Sequence, residues 1–180
     1  MRIDSDTALP IEPDANDAAA LQAVVLQLAD RAAVVDTVIA FANAFDAQDW
    51  QTLRRCLADE VHTDYSQFRG EAPAVVSADA YVAARQQGLA GLRTLHISTN
   101  HQVQIDGDRA ECGSAYRIYR VDPQGRAGEN RLDTAGRYEH ALVRTAAGWR
   151  ICAIRQTVVL QTGNPAIHGA LRRGAPTQTV

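Results

Sequence analysis

The chain has 180 residues, of which 46% are hydrophobic and 22% charged, and its formal net charge is −3. This composition is typical of a soluble globular protein, and the length predicts one domain that folds without a metal or disulfide staple. The slightly negative charge argues against a general attraction to nucleic acid or to anionic membranes. No apolar run reaches the roughly 18 residues that a membrane span requires.

The N-terminal residues and the cysteines favour a cytoplasmic protein. Residues 1–17 are acidic and contain two prolines, a composition that does not fit a signal peptide. Cys56, Cys112 and Cys152 are far apart and show no CxxC spacing, so we expect reduced, buried thiols. The sequence has no zinc-ligand spacing, GxGxxG, P-loop or GxSxG motif, and we expect neither a metal nor a cofactor.

The first half of the chain predicts three helices. From Ala19 the apolar residues recur at helical spacing, which indicates a long amphipathic helix with a break near Ala29 and Asp30. The centre of its apolar stripe consists of Val34, Val38, Phe41 and Phe45. Asp49 is positioned to cap a short second helix, WQTLRRCLA, and Ser77 to start a third through AYVAARQQGLAGL.

Strands predominate in the rest of the chain. Residues 61–68 alternate as an early strand, and RGEAPAVV is expected to form a loop. HISTNHQVQID and RAECGSAYRIYRV flank Asp106-Gly107, a strong hairpin signal, and RLDTAGRYEHALVRT and WRICAIRQTVVLQ follow as further strands. The order predicts an α+β fold, a cone-shaped α+β barrel in which a strongly curved, mostly antiparallel sheet packs on the long helix and two shorter helices.

This pattern also sets the expected domain limits. We expect a loose N-terminal extension over residues 1–18, a cone domain over 19–162 and a C-terminal tail over 163–180, which holds prolines and glycines without a period. A cone of this kind has an apolar interior, where a small-molecule site would lie.

Two polar residues interrupt the apolar pattern. Asp46 lies on the flank of the helix stripe, near the C-terminal end, where the helix dipole disfavours a carboxylate. It either finds a buried partner or caps the turn before Trp50. His96 opens the first strand of the sheet run, where a lone histidine is more often structural than catalytic. Together, however, a carboxylate that holds one imidazole nitrogen leaves the other free to act as a general base.

Three tyrosines are candidates for binding a substrate oxygen. Tyr65, Tyr116 and Tyr138 each share a strand face with apolar or small residues. If those faces line the cone, the hydroxyls would bind a carbonyl or a developing oxyanion. Plain core packing explains each tyrosine equally well.

The remaining histidines are weaker candidates. His62, His101 and His140 are expected to face solvent or to make local contacts. His101 follows His96 by five residues, so the two rings point to opposite faces of a regular strand.

Several segments resemble SnoaL-like proteins of the nuclear-transport-factor-2-like superfamily. They are FANAFDAQDWQTL, ADEVHTDYSQFRG, GLRTLHISTNHQVQIDGDRAEC, GRYEHALVRTAAGWRICAIRQ and GNP, in that order. The resemblance covers about residues 28–165 and rests on the order and spacing of the segments. It implies a cone of curved sheet packed on helices, usually assembled as a homodimer or homotrimer.

Within that superfamily the motifs are most similar to the branch of scytalone dehydratase and hexachlorocyclohexane dehydrochlorinase. An aspartate after the first long helix and a histidine at the first sheet strand form the catalytic pair there, which implies catalytic roles for Asp46 and His96. Thr99-Asn100 resembles the dehydrochlorinase pattern. Asp64-Tyr65 resembles an Asp-Tyr pair of the dehydratase, whose tyrosine helps to position a water or substrate carbonyl.

The chain also departs from the dehydratase pattern. A second active-site histidine has no counterpart in SAYRIYRV, Phe45 replaces a tyrosine, and Gly136 and Tyr138 replace a Ser/Asn pair. These departures favour a simpler dyad that acts only as a base.

The residues and the resemblance together predict a cofactor-independent lyase or isomerase. In it His96, oriented by Asp46, removes a proton from a small hydrophobic cyclic substrate. The expected substrate contacts are Phe45, Tyr65, Tyr116, Tyr138 and Asn100. Two alternatives remain open. One is a ligand-binding protein of the same fold without chemistry, and the other is an assembly subunit such as the small subunit of ring-hydroxylating dioxygenases.

Overall fold

The structure, a computed structural model, describes residues 18–125 and 129–168. Its helices are α1 (Ala18–Ala47), α2 (Trp50–Arg55), α3 (Ser66–Arg69) and α4 (Ala78–Gly88). Its strands are β1 (Leu57–Asp64), β2 (Ala74–Ser77), β3 (Arg93–Asp106), β4 (Arg109–Val121), β5 (Arg131–Thr145) and β6 (Gly148–Gly163). Residues 1–17 of the expected extension and 169–180 of the expected tail lie outside the described residues.

The strands form one curved mixed sheet, in the order β2-β1-β6-β5-β4-β3. Strands β1 and β6 are parallel, and the other neighbours are antiparallel. Helix α1 packs on β3, β4 and β6, so the concave face of the sheet and the apolar stripe of the helix enclose the core. The α+β cone expected from the sequence is therefore confirmed. Within the described ranges, none of the helices combines the length and apolarity that crossing a bilayer demands.

Helix α1 runs without the break expected near Ala29 and Asp30. Alanine is the best helix former, and the Asp30 carboxylate is held outside the helix by Arg144 at 2.6 and 2.8 Å, so it does not compete for the backbone. The expected stripe is confirmed, because Val34, Val38, Phe41, Ala44 and Phe45 are all buried.

The region around β1 differs from the expected strand over 61–68. The strand begins earlier and stops at Asp64, whose carboxylate accepts hydrogen bonds from the Ser66 backbone at 3.1 Å and hydroxyl at 2.7 Å. These bonds turn the chain just before the single turn of α3, whose N-cap is Tyr65. Part of the expected loop is in fact β2, which pairs with β1. The caps expected at Asp49 and Ser77 are both present.

A β-bulge in β3 reverses an expected side-chain direction. Asn100 has a left-handed φ of 55°, and the register with β4 shifts between Thr99 and Gln102. Because one extra residue changes the parity of a strand, His101 lies on the same face as Ser98, and the Ser98 hydroxyl is 2.9 Å from its Nε2. The expectation of opposite faces for His96 and His101 is therefore wrong.

The first residues of the expected tail pack against the cone. A single 3-10 turn (Pro165–Ile167) follows β6, with the Asn164 side chain accepting a hydrogen bond from the Ala166 backbone at 2.9 Å. Ile167 and His168 are buried, and the His168 ring meets Phe68 edge-on at 5.7 Å. This segment thus closes one side of the interior.

Candidate active site

The Asp46 carboxylate and the His96 imidazole form a hydrogen-bonded dyad in the cone. The last turn of α1 carries Asp46 and the start of β3 carries His96. Nδ1 of the ring is 2.6 Å from Oδ1 of the carboxylate, and Oδ2 accepts the His96 backbone N–H at 2.7 Å. The Thr94 hydroxyl donates a third hydrogen bond to Oδ1 at 2.8 Å. Three donors therefore fix the carboxylate in place.

The surroundings of the dyad favour an ionised Asp46 and a neutral His96. Burial raises the pKa of Asp46, but the hydrogen bonds and charge of His96, with the Thr94 hydroxyl, outweigh it and leave that pKa below its ordinary value. Burial lowers the pKa of His96, and the bond to Asp46 only partly offsets this effect. A neutral ring facing a carboxylate carries its proton on Nδ1, so the lone pair is on Nε2.

His96 lies where two small cavities meet. The first cavity, of about 30 Å³, is lined by aromatic and polar side chains, among them Phe45, Tyr65 and Tyr138. The second, of about 20 Å³, is mainly apolar and is lined by α1 residues with Tyr116, Tyr138 and His140. The Phe45 ring stacks on His96 at 5.2 Å between centroids and an angle of 22°. Among the described residues nothing hydrogen-bonds to Nε2, the ring nitrogen opposite the dyad contact.

The three candidate tyrosines all line these cavities. Tyr65 and Tyr81 hydrogen-bond to each other through their hydroxyls at 2.7 Å, and burial raises the pKa of Tyr65 to about 12. The Tyr116 hydroxyl is buried near the Gln156 and Thr134 side chains, but it forms no hydrogen bond of good geometry with them in the described structure. Its ring packs on Tyr138 at 4.6 Å, and Tyr138 borders both cavities. Tyr116 and Tyr138 are therefore the hydroxyls best placed to meet a ligand beside His96.

Two other residues singled out in the sequence lie away from the dyad. Asn100 is exposed at the bulge, where its side-chain oxygen accepts a hydrogen bond from Thr99 at 3.3 Å, and it lines neither cavity. Asp64 ends β1, and its Oδ2 lies 3.6 Å from Nε of Arg155. Both residues therefore fall outside the site, while Phe45, Tyr65, Tyr116 and Tyr138 remain in it.

The structure adds residues that the sequence reasoning did not select. The additional charged or titratable lining side chains include Arg69, Arg85, Arg120, His140 and His168. His140 was expected to face solvent or make local contacts, but it is buried against the Phe41 and Tyr138 rings. The sequence did contain a signal for Arg120. It lies two residues after Ile118 and four after Tyr116, so all three share the buried face of β4. Arg85 likewise lies one helical turn after the buried Tyr81.

The acidic, histidine and cysteine side chains do not converge on a metal site. Across residues 18–125 and 129–168, no three His, Cys, Asp or Glu side chains come close enough together to hold a metal ion. The cysteines of these ranges are free thiols, with Cys56 and Cys112 buried and Cys152 partly buried.

Several known structures have the same fold as this chain. The Kfla4162 protein of Kribbella flavida shares 28% identity over 76% of this chain and 95% of its own, with a TM-score of 0.73. A proposed scytalone dehydratase of Novosphingobium aromaticivorans shares 14% identity over 76% of this chain and 88% of its own, with a TM-score of 0.66. A type 2 hexachlorocyclohexane dehydrochlorinase shares 17% identity over 85% of this chain and 97% of its own, with a TM-score of 0.65. The last two likenesses concern the fold alone.

The sequence itself identifies the family. No curated protein matches the chain significantly. The sequence model of the SnoaL-like domain, in contrast, matches residues 26–155, which cover the dyad and nearly all of the sheet. The chain belongs to the SnoaL-like family and has the cone fold of the nuclear-transport-factor-2-like superfamily.

Proposed function

We propose that this protein is a cofactor-independent lyase or isomerase in which His96 removes a proton from carbon of a small cyclic substrate. The observation that carries the proposal is the 2.6 Å contact between Asp46 and His96 at the wall of two cavities. A partly buried base beside a void, with one nitrogen fixed by a carboxylate, is the arrangement that general-base catalysis requires.

In the proposed step the substrate C–H lies against Nε2 of His96. The Nε2 lone pair takes the proton, and Asp46 stabilises the imidazolium that forms. The electron pair left on carbon then has two outcomes. In an elimination the pair forms a double bond while a group on the neighbouring carbon leaves with the electron pair of its own bond, and the imidazolium then gives the proton to that group or to solvent. In an isomerisation of a β,γ-unsaturated ketone the pair is delocalised as a dienolate, and the imidazolium returns the proton to the γ carbon.

The cavity walls supply the other requirements of this chemistry. Phe45, stacked on the imidazole, offers an apolar surface for a ring of the substrate. The Tyr116 hydroxyl lies near the Gln156 and Thr134 side chains without a well-formed hydrogen bond to either, so it can donate to an enolate oxygen. A hydrogen bond of this kind is worth most where water is excluded. These features support a role for Tyr116 and Tyr138 in holding the substrate oxygen.

The volume of the site sets one condition on binding. Cavities of about 30 and 20 Å³ hold one or two waters each, whereas a benzene ring needs roughly 150 Å³. The substrate must therefore displace lining side chains. A third cavity of about 170 Å³ adjoins the first through Tyr65, Arg69, Tyr81 and Arg85, which border both. Movement of the two arginine side chains would join these volumes.

Deuterium exchange tests the proposal whichever product the reaction forms. Cyclic ketones and β-hydroxy ketones, each with and without a carboxylate on the ring, are incubated with the protein in D2O, and deuterium at the carbon next to the carbonyl is followed by NMR. We expect exchange or elimination that falls by roughly 10²–10⁴ in His96→Asn. His101→Asn is the matched control, since that histidine lies on the same strand but lines none of the three cavities. Equal rates in the unsubstituted protein and His96→Asn would refute the role of His96.

The alternative of a ligand-binding protein without chemistry predicts a different result. Ring compounds would then bind with an affinity that depends on Phe45 and the tyrosines, and bound ketones would exchange no deuterium above the rate in buffer. Binding without exchange across the panel would therefore favour that alternative.

A further inference from the structure

Three arginines border the cavity that contains His96. Arg69, Arg85 and Arg120 come from α3, α4 and β4, so the fold brings them together from separate elements. None of the three forms an ion pair in the described part of the chain. A cluster of like charges beside a void, without a paired carboxylate, is costly and calls for a counter-charge.

Arg85 shows which part of the guanidinium remains available. The residue is only 8% exposed, and its guanidinium carbon lies 4.5 Å from the ring centroids of both Tyr65 and Tyr81. The two rings thus stabilise the guanidinium charge through cation-π contacts. Its N–H groups point along the edge, however, and Nη1 is buried without a hydrogen-bond partner in the described structure. The free edge is the part that binds a carboxylate in a bidentate manner.

Arg120, on β4, is also buried and packs on one aromatic ring. It is 4% exposed, its guanidinium lies 5.1 Å from the Phe68 ring centroid, and one nitrogen donates to the Thr134 hydroxyl at 3.0 Å. Burial lowers its pKa to about 10, so the group remains a cation at neutral pH. Arg69 adds a third charge 5.2 Å from the Tyr65 ring, and its Nε is also buried without a partner among the described residues.

We propose that the substrate carries a carboxylate, which the free edges of Arg85 and Arg120, with Arg69, bind while the attached ring reaches His96. This inference rests on the proposed function and adds a substrate class to it. The apolar lining of the second cavity, between α1 and Tyr138, suits the ring once side chains have moved to admit it, and the cationic lining of the first cavity suits the charged group. The ligand is thus a small cyclic carboxylic acid rather than a purely hydrophobic molecule.

Binding of benzoate and benzamide tests the charge requirement directly. The two probes share a flat ring of equal size and differ in charge. Titration calorimetry and thermal shift should give at least a tenfold lower Kd for benzoate, and this preference should disappear in Arg85→Gln and Arg120→Gln. Arg117→Gln is the matched control, because Arg117 lies on the same strand as Arg120 but is exposed and lines no cavity of the three described. Arg85→Lys keeps the positive charge but loses the planar guanidinium that can bind a carboxylate through two nitrogens. This variant should therefore retain part of the preference for benzoate over benzamide.

These binding measurements test the carboxylate site independently of the proposed reaction. Equal affinity for benzoate and benzamide, no benzoate binding at millimolar concentration, or an equal loss in Arg117→Gln would overturn the carboxylate site. Circular dichroism establishes that each variant is folded before titration. Because the probes do not react, the preference should persist in His96→Asn. Preference for benzoate combined with absence of deuterium exchange would leave this site standing and refute only the proposed reaction.

Discussion

Asp46 holds His96 by both the ring and the backbone, through Oδ1 to Nδ1 at 2.6 Å and Oδ2 to the backbone nitrogen at 2.7 Å. Asp46 and His96 are 50 residues apart in sequence, so these hydrogen bonds join the end of α1 to the start of β3. A single carboxylate therefore fixes the rotamer, the tautomer and the strand position of the base. This relationship explains why an acidic residue is found near the C-terminal end of α1, where the helix dipole disfavours it.

The first prediction concerns Asp46→Asn. The amide removes the negative charge, and its NH2 group donates to Nδ1 and so favours the wrong tautomer, with the proton on Nε2. We expect exchange activity to fall by roughly 10²–10⁴. The pKa of His96, which Asp46 raises, should fall further below its ordinary value, as NMR titration of the ring protons would show. Thr94→Val is the milder control, since it removes one of the three donors to Asp46. A His96 pKa that rises in Asp46→Asn would contradict this account.

The second prediction concerns acid stability. Burial holds the pKa of His140 at about 4 in the folded protein, whereas the ordinary value is 6.5. Between these pH values the unfolded chain binds the proton and the folded protein does not, so stability falls as the pH drops from 6.5 to 4. The slope from one such residue approaches about 1.4 kcal/mol per pH unit. His140→Phe should flatten the dependence of the free energy of unfolding on pH, as measured by urea denaturation. Identical slopes for the two proteins would show that this histidine is not buried in the neutral form.

The third prediction concerns the cost of the buried cations. Arg120→Met replaces an unpaired buried guanidinium by an apolar chain of similar length. We expect the unfolding free energy of the ligand-free protein to increase by on the order of 1–3 kcal/mol, although the Thr134 hydroxyl loses its donor. Each kcal/mol corresponds to roughly 2–4 °C in Tm. Arg117→Met, at an exposed position, should change stability by less than about 0.5 kcal/mol. A marked loss of stability in Arg120→Met alone would mean that the cation is structural.

The fourth prediction concerns the backbone behind Tyr116. A Cβ added at Gly136 would meet the Thr157 carbonyl oxygen and would lie 3.1 Å from the Tyr116 ring. The register between β5 and β6 shifts at this residue, which indicates a close approach of the two strands. Gly136→Ala should therefore destabilise the protein by about 1–3 kcal/mol in chemical denaturation. Gly113→Ala is the control, since no atom lies within 4 Å of the added Cβ. Equal stability of the two variants would contradict the strand packing described.

The fold and the dyad were predictable from the sequence for identifiable reasons. The stripe of α1 and the long alternating strands made the α+β cone predictable, and the resemblance of AFDAQDW and LHISTN to known motifs selected Asp46 and His96. The hydrogen bond between Asp46 and His96, in contrast, joins a helix to a strand. No local sequence pattern predicts a contact of that kind. The oligomeric state and the cytoplasmic location stay predictions.

Other features depended on geometry that the sequence does not carry. The bulge at Asn100 turned His101 to the face of His96, because one left-handed residue shifts the parity of the strand. The arginine cluster combines residues that each look like surface charges in isolation. Only their shared cavity, and the burial of Arg85 and Arg120 there, distinguishes them from solvated side chains.

The protonation state of His96 at neutral pH decides whether this residue can act as a general base. Nitrogen-15 NMR of the histidine side chains distinguishes the two tautomers and the imidazolium, and His96→Asn assigns the signal. We predict a neutral ring at pH 7 with the proton on Nδ1, facing Asp46, and a lone pair on Nε2. A ring protonated on Nε2, whether as the other tautomer or as the imidazolium, would contradict this prediction, because no lone pair would then face the cavity.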